Sequence, residues 1–177
     1  MDVQKYDSQK MVLQKDKFEL SVFVQELYEL FVPVAKNRNI TFTQKNELPV
    51  DYYVYYDRQE IEKVLFNLLS NAFKFTPEKG TIEIKLSVLS SENDVVRVKL
   101  CHFQHLSEDY YLHIQVSDNG EGITSEDIEK IFQPFYRSSQ DLHHQIAGSG
   151  IGLSLARFIV EQHSGIIWAE NIVPTGT

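Results

Sequence analysis

The chain has a single cysteine, Cys101, which excludes an internal disulfide and a cysteine-built zinc site. It has no run of about 18 apolar residues, so the sequence offers no membrane-spanning helix. It has no basic excess: 17 Lys+Arg stand against 25 Asp+Glu, a formal net charge of −8. Phosphate backbones need Lys/Arg patches, so this balance argues against nucleic acid as the main partner. Residues Met1 to Lys10 are polar and mixed in charge, unlike a secretory leader. With so little cysteine, a reducing intracellular setting is the default. A polyanionic ligand would need local devices: a helix N-terminus, backbone N–H groups, a metal ion or a few placed cations.

What is there suits one domain, with or without a short appendage: 177 residues, 42% of them hydrophobic. Residues 1–17 read as the end of a helix or a linker. Phe18–Leu20 reads as a short strand, and Ser21 as the N-cap of a helix in which Val22, Leu27, Leu30, Phe31, Val34 and Ala35 recur. Pro33 falls in its last turns. Ile40–Asn46 and Asp51–Tyr56 read as strands. Asp57 and Glu60 have capping-box spacing and open a helix whose apolar stripe is Ile61, Val64, Leu65, Leu68, Leu69 and Ala72. Strands are expected at Thr81–Leu89, Val95–Cys101 and Tyr110–Ser117, a short helix at Thr124–Phe132, a long helix at Ile151–His163 and a last strand at Ile166–Asn171. The expected architecture is an α/β (α+β) two-layer sandwich, with three main helices on one face of a mixed, mostly antiparallel sheet.

On the helix from Asp57, Asn67, Asn71 and Lys74 fall within an arc of about 60° at the edge of the apolar stripe. An Asn side-chain oxygen is a neutral hard ligand suited to Mg²⁺, and Lys74 can reach a phosphate as a point charge. An Asn pair at this spacing is, by itself, more often a polar boundary feature. Ser117–Ile123 (SDNGEGI) follows a strand. A carboxylate there, Asp118, can accept an N–H such as the exocyclic amine of adenine, while Gly120 and Gly122 let a ligand approach. Alone it also fits an ordinary Asp-Asn-Gly turn. Gly148–Leu153 (GSGIGL) opens the last long helix, where free N–H groups favour an anion. It has neither Walker spacing nor a preceding strand, and alone it fits a packing hinge. Between the two lies FQPFYR, in which Phe132 and Phe135 can dock a loop and Arg137 can swing toward phosphates. The long loop that follows is of a length more often functional than idle.

Taken in order, DRQEIEKVLFNLLSNAFKFT, SDNGEGI, FQPFYR and AGSGIGLSLAR resemble the N, G1, F and G2 boxes of the ATP-binding catalytic domain of sensor histidine kinases. The resemblance covers about residues 18–171. It implies the Bergerat ATP-binding fold shared with gyrase-type and heat-shock-type ATPases, and ATP with Mg²⁺ as ligands. By position it implies Asn71 as the Mg²⁺ ligand, Asn67 and Lys74 near the phosphates, and Asp118 on the adenine amine with Gly120, Gly122 and Ile123 beside the base. It implies a lid over about 123–148 that carries Phe132 and Arg137. Gly148, Ser149, Gly150, Ile151, Gly152 and Leu153 would then form the phosphate-facing helix start. Hydrolysing relatives carry a Glu where this chain has Asn67, and an amide cannot act as a base near neutral pH. The implied chemistry is phosphoryl donation to a histidine, through positioning and charge stabilisation.

The family's acceptor histidine sits on a dimerisation hairpin, and none of His102, His105, His113, His143, His144 and His163 fits that pattern. Residues 1–17 resemble the tail of that hairpin, followed by a C-terminally short catalytic domain over 18–177. The chain is therefore expected to be a monomeric fragment, inactive for autophosphorylation by itself. Its expected partners are the hairpin of the same protein and a response-regulator receiver domain, in the cytoplasmic part of a membrane-anchored bacterial sensor. The stretch 90–109 resembles an insert of Bacteroides-type hybrid sensor kinases. The alternatives are a degenerate nucleotide-binding signalling module and an anti-sigma-type serine kinase of the same fold.

Overall fold

The computed structural model describes residues 11–92, 110–138, 149–172 and 176. Its elements are β1 (Asp16–Glu19), α1 (Leu20–Asn37), β2 (Thr41–Asn46), β3 (Tyr53–Tyr56), α2 (Arg58–Phe75), β4 (Thr81–Ser90), β5 (Tyr110–Asp118) and α3 (Gly152–Gln162). The expected strand Val95–Cys101 and most of the 90–109 stretch lie outside the described residues, as do Gly148 and the part of the expected lid from 139 onward. So do His102, His105, His143 and His144, and residues 1–10 of the expected hairpin tail. Residues 11–15 carry no regular structure.

β2 runs parallel to β4, and β4 antiparallel to β5, so the three form a mixed sheet. β1 and β3 pair antiparallel as a separate ribbon. Period-two alternation sends Ile82, Ile84 and Leu86 of β4 to the helices, each no more than 1% exposed. Val116 and Ile114 of β5 lie opposite Ile84 and Leu86 on that face and pack against the same core. Across the layer, the Phe31 ring of α1 stacks on Phe73 of α2 at 5.3 Å, and Phe42 of β2 meets Phe73 edge-on at 5.1 Å. A smaller cluster of Val64, Ala156 and Ile159 fastens α3 to α2. These are the three helices and the two layers that the pattern of the sequence predicts.

Helix α2 is held at both ends. Asp57 is its N-cap and accepts the Glu60 N–H at 3.2 Å. The expected capping box forms only in half. The Glu60 carboxylate pairs with Lys63 at 2.6 Å, and the Asp57 N–H goes instead to Nε2 of His163 at 3.1 Å. At the C-terminus, Arg38 donates to the carbonyl of Phe73 and, at 2.7 Å, to that of Thr76. It thus satisfies acceptors that a helix end leaves open and places a cation at the negative end of its dipole.

Several expectations are corrected. Ser21 is not the N-cap of α1. The helix begins at Leu20, whose N–H pairs with the Tyr52 carbonyl at 3.1 Å, after an extended Glu19. The Ser21 hydroxyl instead donates to the Glu19 carboxylate at 2.5 Å. The strand expected from Asp51 starts only at Tyr53, because Asp51 has φ +56°. Thr124–Phe132 is a chain of turns and not a helix. Asp127 and Ile128 both bond to the Thr124 carbonyl, and Lys130 and Ile131 both to that of Asp127, so no continuous ladder forms. Ile166–Asn171 is not a strand. It is attached through side chains, with Trp168 stacked on His113 at 5.7 Å and Asn171 bonded to Ile123. α1 passes through Pro33 to Asn37.

Candidate functional site

A cavity of about 1450 Å³ opens along α2. Asn67, Asn71 and Lys74 line it, all half-buried, as their shared arc at the edge of the apolar stripe requires. Asp118, Gly120, Gly122 and Ile123 line it from the end of β5, Phe132 and Arg137 from the turns beyond, and Ser149, Gly150, Gly152 and Leu153 from the start of α3. The four sequence segments therefore converge on one space. Ile151 is not in the cavity wall. Its carbonyl closes the first turn of α3, accepting the Leu155 N–H and the Ser154 hydroxyl, each at 2.9 Å.

The glycines mark where backbones come close. A methyl on Gly152 would lie 2.9 Å from Oδ1 of Asn67, so the head of α3 rests directly on the asparagine. A methyl on Gly120 would lie 2.7 Å from the Phe75 carbonyl, at the end of α2. Asp118 turns one carboxylate oxygen back to accept the Gly120 N–H at 2.7 Å, which fixes its direction at the cavity wall. The ammonium of Lys74 lies 4.7 Å from the centre of the Phe75 ring.

The FQPFYR segment is docked differently from the expectation. Phe132 is buried, but Phe135 is 67% exposed and has φ +62°. The anchors are the Phe135 N–H on the Gly150 carbonyl at 2.9 Å and the Tyr136 hydroxyl on Asp127 at 2.5 Å. The Tyr136 and Thr124 hydroxyls together hold the Asp127 carboxyl below the usual carboxylate range.

Sequence reasoning missed Arg38, Asn119, Asp127, Tyr136 and Asn171. Asn119 accepts the Thr81 N–H at 2.7 Å, tying the start of β4 to the glycine segment. Arg38 and Asn171 act across gaps of 35 and 48 residues, and no local period carries such a signal. Tyr136 stood in a segment already singled out.

The family described as histidine kinase-, DNA gyrase B- and HSP90-like ATPases matches residues 56–177. The chain belongs to this family. Among solved structures, the nucleotide-free catalytic domain of histidine kinase ThkA is 31% identical, covers 92% of this chain and 91% of that one, and superposes with a TM-score of 0.69. Histidine kinase P4 of Formosa agariphila is 36% identical over 94% of this chain and 11% of its own length. The sensor histidine kinase WalK of Bacillus subtilis is 30% identical over the whole chain and 26% of its own length. The chain thus spans roughly a tenth to a quarter of these curated relatives. It is a histidine-kinase ATP-binding catalytic domain. Among the described residues, no helix of this domain is long and apolar enough to cross a membrane.

Proposed function

We propose that the domain binds Mg-ATP in the α2 cavity and donates the γ-phosphoryl group to a histidine on a dimerisation hairpin of the same protein. The observation that carries this reading is the contact between Asn67 and Gly152. It sets the amide-bearing face of α2 against the N-terminus of α3, and the first N–H groups and dipole of a helix favour an anion. Phosphates in that corner have Asn67, Lys74 and the α3 N–H groups around them. The base then falls toward Asp118, whose carboxylate is an acceptor of the kind an exocyclic amine needs.

The donor set fits Mg²⁺. Among the described residues there is no cluster of three or more His, Cys, Asp or Glu able to hold a metal alone. Mg²⁺ is ordinarily held by one or two protein oxygens together with waters and nucleotide phosphates, so Asn71 suffices as the protein ligand. When bound, the ion neutralises charge on the phosphates. Asn67 takes no proton, so water is not activated and the phosphoryl group is kept for the histidine. Arg137, in the docked segment, faces the same cavity and supplies charge to the transferring group.

The two histidines among the described residues sit in β5 (His113) and at the end of α3 (His163). Neither resembles an acceptor, so the isolated chain is expected not to phosphorylate itself. A receiver domain downstream completes the reading. The solved complex of ThkA with the response regulator TrrA, a 29% identical relative, supports that partner class. Titration calorimetry with Mg-ATP tests the site. Wild-type is expected to bind, and Asp118→Ala to lose at least about tenfold in affinity, the scale of one charge-assisted hydrogen bond. Normal binding by Asp118→Ala would remove the assignment.

A further inference from the structure

The glycine segment after β5 is tied down at both ends by asparagines, and one of them is far away in sequence. At its start, Asn119 bonds to Thr81 through both backbone and side chain, at 3.2 and 2.7 Å. At its end, the side chain of Asn171 accepts the Ile123 N–H at 2.8 Å and donates to the Ile123 carbonyl at 2.6 Å. One amide group thus satisfies both backbone polar groups of one residue, as a neighbouring strand would. Gly122 leaves room for it: its φ is +74°, and a methyl there would lie 3.0 Å from Oδ1 of Asn171.

We infer that Asn171 is a positioning residue for nucleotide binding, one that fixes Ile123 and the glycine turn before it without lining the cavity. Gly122 and Ile123 stand in the cavity wall, whereas Asn171 does not. Phe135 is held at Gly150, whose carbonyl takes its N–H. Asn171 follows α3 and Gly150 precedes it, so Ile123 and Phe135 are secured to the two flanks of one helix. Free to shift, Ile123 and Gly122 would carry the base-contacting turn out of register with Asp118. This inference rests on the nucleotide reading above, since the wall that Asn171 steadies is the base side of that site.

The test compares wild-type with Asn171→Ala and Asn171→Asp in the full chain. Three quantities are read: amide exchange at Ile123 without nucleotide, affinity for Mg-ATP, and Tm. Asn171→Ala is expected to speed exchange at Ile123 by about tenfold, the effect of opening a local contact. It should weaken Mg-ATP binding by about three- to tenfold, with Tm within about 2 °C of wild-type because the side chain is exposed. Asn171→Asp keeps the acceptor for the Ile123 N–H and should retain the slow exchange, with affinity between the other two. Unchanged exchange in Asn171→Ala overturns the inference. So does faster exchange with unchanged affinity, or a loss of affinity matched by a general loss of Tm. If wild-type itself binds no Mg-ATP, the nucleotide reading fails. Faster exchange at Ile123 would then leave the Asn171 contact standing without its proposed purpose.

Discussion

Gly152 is where the head of α3 meets the asparagine face of α2. It is the first residue of α3, where alanine would ordinarily be the better helix former. Yet a Cβ there meets Asn67 Oδ1 at 2.9 Å, tighter than ordinary contact, so Asn67 would have to move. Gly152→Ala should lower Mg-ATP affinity or phosphoryl donation by about tenfold, for a loss on the order of 1–2 kcal/mol in the site. Calorimetry together with a transfer assay checks this, and full activity in the variant would mean that the α2–α3 contact is incidental. Asn67 itself was visible in the sequence only as one of a pair of amides at helical spacing. Its contact with Gly152, some 85 positions on, is a tertiary fact that no period of 3.6 can show. Asp118 was no more legible alone, because a carboxylate at a strand end before two glycines also suits an Asp-Asn-Gly turn, and its side chain does accept the Gly120 N–H.

Among the elements, α2 was the most legible, since its apolar stripe, its Asp57 cap and its stop before Pro77 are all local. Its C-terminal clamp was not. Arg38 reaches the Phe73 and Thr76 carbonyls from the end of α1. Arg38→Met keeps the aliphatic stem and removes the donors, and should cost about 1–2 kcal/mol in urea unfolding. An unchanged midpoint would mean that water replaces the guanidinium without loss. The elements that were misjudged fail for different reasons. Thr124–Phe132 closes as separate local turns on the Thr124 and Asp127 carbonyls, whereas Ile166–Asn171 is held by contacts to His113 and Ile123, which are distant in sequence and override local preference.

The sheet carries a pH dependence of its own. Burial lowers the affinity of His113 for protons; the Lys85 ammonium adds to this, and the Glu170 carboxylate opposes it. With the folded value below the unfolded one, the unfolded chain takes up the proton first. Stability is therefore full above about pH 6.5 and falls as pH drops from there toward the folded value. Urea midpoints at neutral and mildly acidic pH should differ in that sense, and His113→Gln should flatten the difference. A profile that is equally steep in the variant would assign the dependence elsewhere.

At the scale of the molecule, four ordered motifs in the sequence outweighed any one of them. The structure supplies the reason, for all four segments border the same cavity. The two-layer sandwich followed from patterning, because alternation in β4 and helical periods in α1 and α2 face one shared core. The parallel pairing of β2 with β4 did not follow, since strand order depends on where crossovers travel and not on which residues alternate. The central claim is that this domain is one half of a phosphoryl-transfer machine, with the acceptor on another segment. The most direct measurement supplies a separately made dimerisation hairpin in trans, with radiolabelled Mg-ATP, and follows acid-labile phosphate. Label on the hairpin histidine, absent when the hairpin carries His→Gln at that residue and absent from the catalytic chain alone, is the predicted result. Acid-labile label on the catalytic chain itself, or none on the hairpin although Mg-ATP binds, would contradict the account.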